Sequence, residues 1–136
     1  MNRWIRSMIT LCALLFLFGG CGMSTYSAQK VSSLTYTVVK EEDIPKELQK
    51  QMEEQKQNGF NLTYLDGEYL YIARGFGEQK TGGYSVSVKE LYLSENAIYF
   101  SAELFGPKKG EFTQEAKTYP YVVIKTERRT EPIVFL

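Results

Sequence analysis

The sequence predicts an α+β fold: one amphipathic helix packed on a curled or two-layered antiparallel β-sheet of six to seven strands. Three observations point there. Ten Tyr and eight Phe in 136 residues, with many β-branched neighbours, favour sheet. Short runs of period-two alternation recur along the chain, separated by turn residues. Only one stretch carries an apolar repeat of helical spacing. A β-sandwich with the helix as decoration is the alternative.

The elements follow in order. Leu34–Val39 (Leu-Thr-Tyr-Thr-Val-Val) reads as a first strand. Lys40-Glu-Glu-Asp43 breaks it, and Pro45 suits a first helical turn, with acidic residues at the positive end of the helix dipole. Ile44, Leu48 and Met52 then recur every four residues, up to the stop at Asn58-Gly59. This narrow stripe is expected to pack on the sheet; the sharper reading is that it docks on a partner.

Phe60–Leu65 and Glu68–Ala73 flank Asp66-Gly67, a type I′ hairpin signal. A two-residue loop there pairs Leu65 with Glu68, Tyr64 with Tyr69 and Leu62 with Tyr71. One face then holds Phe60, Leu62, Tyr64, Tyr69, Tyr71 and Ala73, all apolar. The other holds Asn61, Thr63, Leu65, Glu68, Leu70 and Ile72, with its apolar run on the second strand, which is expected to be central and covered on both sides.

Tyr84, Val86 and Val88 alternate with polar residues, and Leu91–Leu93 continues the strand after a bulge at Lys89-Glu90. Ser94-Glu95-Asn96 is a turn. Ile98, Phe100, Ala102 and Leu104 point inward from the next strand. Gly106–Thr118 reads as a long exposed loop, Pro120–Lys125 as a strand, and Pro132–Leu136 as a last edge strand.

The first twenty residues are a targeting segment. Arg3 and Arg6 precede an apolar run of eleven residues, Met8–Phe18, too short to span a bilayer. Leu17-Phe-Gly-Gly-Cys21 ends it as a lipobox, with cleavage before Cys21. Two acyl chains on Cys21 are enough for stable anchoring. Residues 1–20 are thus the signal peptide, 21–33 the lipidated cysteine and its tether, and 34–136 a single domain. As a flexible coil the tether spans roughly 20 Å. The expected location is the cell membrane, lipid-anchored and facing the extracytoplasmic side.

Charge and composition exclude several functions. Loss of Arg3 and Arg6 leaves fourteen basic against sixteen acidic side chains, no electrostatic case for nucleic acid. Cys12 leaves with the signal, so Cys21 has no partner for an internal disulfide. There is no His, which removes the Ser-His-Asp triad, the Cys-His dyad and His-ligated zinc. The remaining carboxylates are scattered over helix, turns and loops. The reading is a non-enzymatic chain with no cofactor and no metal.

Four of eleven glycines fall in Gly75-Phe-Gly77-Glu-Gln-Lys-Thr-Gly82-Gly83. The spacing is not that of a Walker loop, and it leads into a strand. Gly82-Gly83 reads as a sharp bend, or as part of a backbone nest for an anion with Lys80 and Thr81 as further donors. Phe76, between two glycines, is expected to be exposed. Lys108 and Lys109 mark a second candidate surface on the 106–118 loop.

Lys80-Thr-Gly-Gly-Tyr-Ser-Val86, with Pro120-Tyr-Val-Val-Ile124, resembles the PrcB C-terminal-domain family over roughly Phe60–Ile124. Family members usually have Pro between the Lys and the Thr, which here are adjacent. The resemblance implies a small bacterial envelope protein, often a lipoprotein, in a family named for a subunit that stabilises a surface protease complex. The expected function is therefore a lipid-anchored interaction domain assisting an envelope protease or another surface protein. Its expected contact residues are Phe76, Lys80, Thr81, Gly82, Gly83, Lys108 and Lys109. A small-ligand module for envelope carbohydrate or an anion is the alternative.

Overall fold

Leu70–Ala73 and Val122–Ile124 supply the continuous apolar runs at the centre of the structure, a computed structural model that describes residues 26–136. The expected signal peptide and the expected lipidation site, Cys21, lie outside the described residues. Within them, eight strands form two four-stranded sheets, with one α-helix: mostly β, roughly α+β. The strands are β1 (Ser32–Ser33), β2 (Thr37–Val38), β3 (Phe60–Asp66), β4 (Tyr69–Gly75), β5 (Ser85–Leu93), β6 (Ile98–Phe105), β7 (Tyr121–Glu127) and β8 (Ile133–Phe135). One sheet has the order β1-β5-β6-β8, the other β2-β7-β4-β3.

The two sheets share a core. Leu70, Ile72, Val122 and Ile124 from β4 and β7 meet Leu91, Ile98 and Phe100 from β5 and β6. The opposite face of β4 and β7 presents Tyr71, Ala73 and Val123 to helix α1 (Lys46–Gln55). Ile44, Leu48 and Met52 are buried there beside Phe60, so the stripe packs on the sheet rather than on a partner. A 3-10 turn, Glu41–Asp43, precedes the helix, and Gln49 Nε2 donates to the carbonyls of Glu41 and Ile44. The layers are helix, sheet, sheet. This joins the helix-on-sheet expectation to the facing sheets of the sandwich alternative.

The β3–β4 hairpin keeps its expected faces but not its expected register. Asp66 pairs with Tyr69, Tyr64 with Tyr71 and Leu62 with Ala73. The loop is Gly67-Glu68, with positive φ only at Gly67. That is the requirement of a type II′ turn, not the I′ turn expected. The shift is two residues, so every side chain stays on its face; a shift of one would have inverted them. β4 is central and covered on both sides, as expected.

Three expectations are corrected. Leu34–Val39 is not one strand: β1 joins one sheet and β2 the other. Leu34 drops into the shared core at the crossing, where Thr126 Oγ1 donates to the Thr35 carbonyl at 2.8 Å. The tether does not run to Ser33. Ser32 and Ser33 pair with β5, Val31 N–H donates to Leu93, and Tyr92 donates its hydroxyl to the Ala28 carbonyl. Last, the sheets are not purely antiparallel, because β8 runs parallel to β6. The bulge at Lys89 is present, with the β5–β6 register shifting between Val88 and Glu90.

Candidate functional site

The glycine stretch and the 106–118 loop lie at the same end of the molecule, beyond Ser85 of β5 and Phe105 of β6. They are bound to each other. Gln79 and Thr118 exchange backbone hydrogen bonds at 2.8 and 3.0 Å, Gly82 N–H donates to the Gln114 carbonyl, and Thr118 Oγ1 donates to the Thr81 carbonyl at 2.7 Å. Gly83, at φ +87°, brings its backbone against Pro107 and Thr113. A Cβ there would stand 3.1 Å from both side chains, so the bend depends on glycine. The two separate candidate stretches therefore form one surface.

Lys80, Lys108 and Lys109 are exposed on it, and Thr81 and Gly82 are half-buried. Lys108–Glu111 is a tight turn closed by Glu111 N–H on the Lys108 carbonyl, with Gly110 at φ +83° in the position a type II turn requires. The Glu111 carboxylate accepts the Lys108 N–H at 2.9 Å. The turn leaves both lysine side chains free in solvent and presents Phe112 beside them.

Phe76 is not the exposed aromatic. It is half-buried, its N–H donates to the Pro120 carbonyl, and the Arg74 guanidinium lies 5.2 Å from its ring centre. It extends the β4–β7 pairing by one residue instead of capping a loop tip. The exposed aromatic is Phe112, 94% accessible, the most exposed large hydrophobic residue among those described. Sequence reasoning missed it, although an aromatic alone in a polar, glycine-containing run was the same signal that had pointed to Phe76.

A groove of about 310 Å³ adjoins this end, between α1 and the start of β7. Ile44, Met52 and Phe60 form its apolar side, and Tyr119 and Tyr121 its aromatic side. Glu78 connects it to the glycine stretch. Its carboxylate accepts the Tyr119 hydroxyl at 3.0 Å and pairs with Lys117 at 3.4 Å. Lys56, ion-paired with Glu53, sits 4.7 Å from the Tyr119 ring centre. The hydrogen bond to Glu78 raises the Tyr119 pKa, because ionisation would remove the donated proton. Burial raises that of Tyr121. Both phenols stay protonated at neutral pH, and the Tyr119 proton is held by Glu78.

Residues 70–127 match the family model described as PrcB C-terminal. The match runs from β4 to the end of β7 and includes both loops of this surface; β3 and α1 lie outside it, so it begins later than the sequence resemblance suggested. No curated protein and no solved structure matches the chain.

Proposed function

Because residues 70–127 belong to the PrcB C-terminal family, we propose that this chain is a non-catalytic interaction domain of the bacterial envelope, associated with a protease-related function. Its contact surface is the two-loop end, where Lys80, Phe112, Lys108 and Lys109 face solvent over a backbone held by cross-loop hydrogen bonds. The observation that carries this reading is Phe112. Its ring is the most exposed large hydrophobic group among the described residues, and aromatic anchors dominate binding energy at protein interfaces. The flanking lysines favour a partner with an acidic rim.

The proposed lipid on Cys21 fits this geometry. Ser27 N–H donates to Asn96 Oδ1 in the turn between β5 and β6. That turn lies at the far end of the β5–β6 hairpin from Ser85 and Phe105. The nine residues of β5 separate the two ends by about 27 Å at ~3.3 Å per residue. A chain anchored ahead of Ser27 therefore holds the two loops away from the bilayer, toward partners in the envelope.

Phe112→Ser combined with Lys109→Ala is expected to leave stability within about 0.5 kcal/mol of wild type, since both side chains are in water. It is expected to weaken partner capture from native membranes at least tenfold. A pull-down read by mass spectrometry, beside thermal melts, checks both halves. Undiminished capture by a folded variant would remove the surface from consideration.

A second reading rests on the groove. The Tyr119 and Tyr121 rings beside an apolar wall, with the Glu41 and Glu53 carboxylates at the rim as acceptors, suit a sugar ring. Under that reading chitooligosaccharides or cell-wall fragments raise the melting temperature, since a ligand of the native state alone adds stability, and Tyr119→Ala removes the shift. No shift at millimolar glycan contradicts it.

A further inference from the structure

The sheet edges of this fold are unequally protected. β1 and β2 are two residues long. The open part of β5 carries the bulge and Lys89. The open half of β6 carries Glu103, ion-paired with Lys89. β8 is three residues long and follows Pro132. Short length, charge, proline and bulges are the usual defences against edge pairing. β3 has none of them. It is seven residues, Phe-Asn-Leu-Thr-Tyr-Leu-Asp, paired on one side only and uncharged until Asp66.

The ladder determines which groups this edge offers. Phe76 donates to Pro120, so Arg74, Ile72 and Leu70 exchange hydrogen bonds with β7. The alternate β4 residues then bond to Phe60, Leu62, Tyr64 and Asp66. The N–H and C=O groups of Asn61, Thr63 and Leu65 point away from the sheet, and all three residues are exposed. Their side chains border a groove of about 530 Å³, with Leu70, Ile133 and Phe135 on its apolar side.

We propose that β3 is a self-pairing edge, on which a second copy of this chain adds its own β3 antiparallel across a two-fold axis at Thr63. The residues are self-complementary in that register. Thr63 meets Thr63, and Asn61 meets Leu65, giving three pairs of main-chain hydrogen bonds between the copies. On the helix side, half-buried Leu62 meets Tyr64, an aromatic–aliphatic cross-strand pair. On the groove side Leu65, 47% exposed, enters the apolar recess of the other copy. Asp66 falls opposite Phe60, so no like charges face each other. An antiparallel two-fold contact closes on itself and forms a dimer, not a fibre. The surface is distinct from the two-loop end, which stays open in the dimer.

The test uses the full chain in its native membranes. Thr63→Cys is expected to give a disulfide-linked dimer on mild oxidation. Wild type and the helix-surface variant Lys50→Cys are expected to give none. The double variant Asn61→Cys, Leu65→Cys is expected to crosslink in the same register, while Asn61→Cys alone stays monomeric. Thr63→Lys sets two ammonium groups across the axis and is expected to abolish chemical crosslinking of the folded chain. Absence of the Thr63→Cys dimer together with absence of the double-variant dimer overturns the proposal. So does capture of a different protein at position 63.

Discussion

Phe100→Ala is expected to lower the unfolding free energy by about 3–5 kcal/mol. Phe100 is fully inaccessible and sits on β6 between β5 and β8. It belongs to the cluster that joins the two sheets, and its ring meets Phe135 edge-on at 5.8 Å. Truncation removes apolar contact with both sheets and leaves a cavity that β-ladders on either side prevent from collapsing. Against a typical total of about 5–15 kcal/mol the variant is close to unfolding at 37 °C. Urea denaturation measures the loss. Phe105→Ala is the comparison, since that ring is 42% exposed on the same strand and its removal is expected to cost about 1 kcal/mol or less. Equal costs would mean that the sheets do not share a core.

Gly59→Ala is expected to be the second large loss, above about 2 kcal/mol, and it acts on the backbone that supports the glycine stretch. Gly59 has φ +83°, where an L side chain costs about 1–3 kcal/mol. A Cβ there would also stand 2.7 Å from the Gly75 carbonyl oxygen and 3.2 Å from the Gly77 nitrogen. Both obstacles are backbone, so neither can swing aside. The end of α1 and the start of the glycine stretch are packed main chain to main chain here, and Glu78 N–H donates to the Gln57 carbonyl across the same contact. Gly67→Ala separates strain from clash. Gly67 also has positive φ, but nothing lies within 4 Å of its added Cβ. It is expected to cost about 1 kcal/mol, and amide exchange is expected to rise around Gln57 and Glu78 only in the Gly59 variant.

What could be read from the sequence was local. Alternation in Phe60–Ala73 fixed which residues share a face, because period two is a property of the strand itself. It did not fix the register, which turned on one glycine taking the first instead of the second loop position. The four-residue spacing of Ile44, Leu48 and Met52 located the helix and its buried side. The sheet switch at Leu34 was illegible, since Leu34–Val39 has the alternation of one strand and only the two opposing sheets divide it. The parallel pairing of β8 was illegible for the same reason: three apolar residues specify burial, not direction. The outer face of β5 and β6 was missed as well. Tyr92 and Tyr99 stack there, ring centres 5.1 Å apart, with the segment around Ala28 over them, a contact between residues 64 positions apart.

The candidate surface divides in the same way. The glycine stretch and the two lysines were visible as unusual local composition. Their union into one surface depends on the Gln79–Thr118 bridge and on Gly83 against Pro107 and Thr113, contacts that no spacing reveals. Phe76 looked exposed because flanking glycines resemble a loop, yet the β4–β7 ladder continues through it. Phe112 carries the same lone-aromatic signal but lies between Glu111 and Thr113, without a glycine on either side.

Site-specific photocrosslinking from position 112 of the full chain in the cells that produce it tests the central claim most directly. With a photoreactive residue at 112, and control positions at Lys50 on the helix and Glu127 at the opposite end, the account predicts one dominant adduct from 112 with an envelope protein and none from the controls. Weaker adducts to the same protein are expected from Lys80 and Lys109. No adduct at 112, Lys80 or Lys109, with the same protein captured instead from Lys50 or Glu127, would contradict it and place the contact elsewhere on the fold.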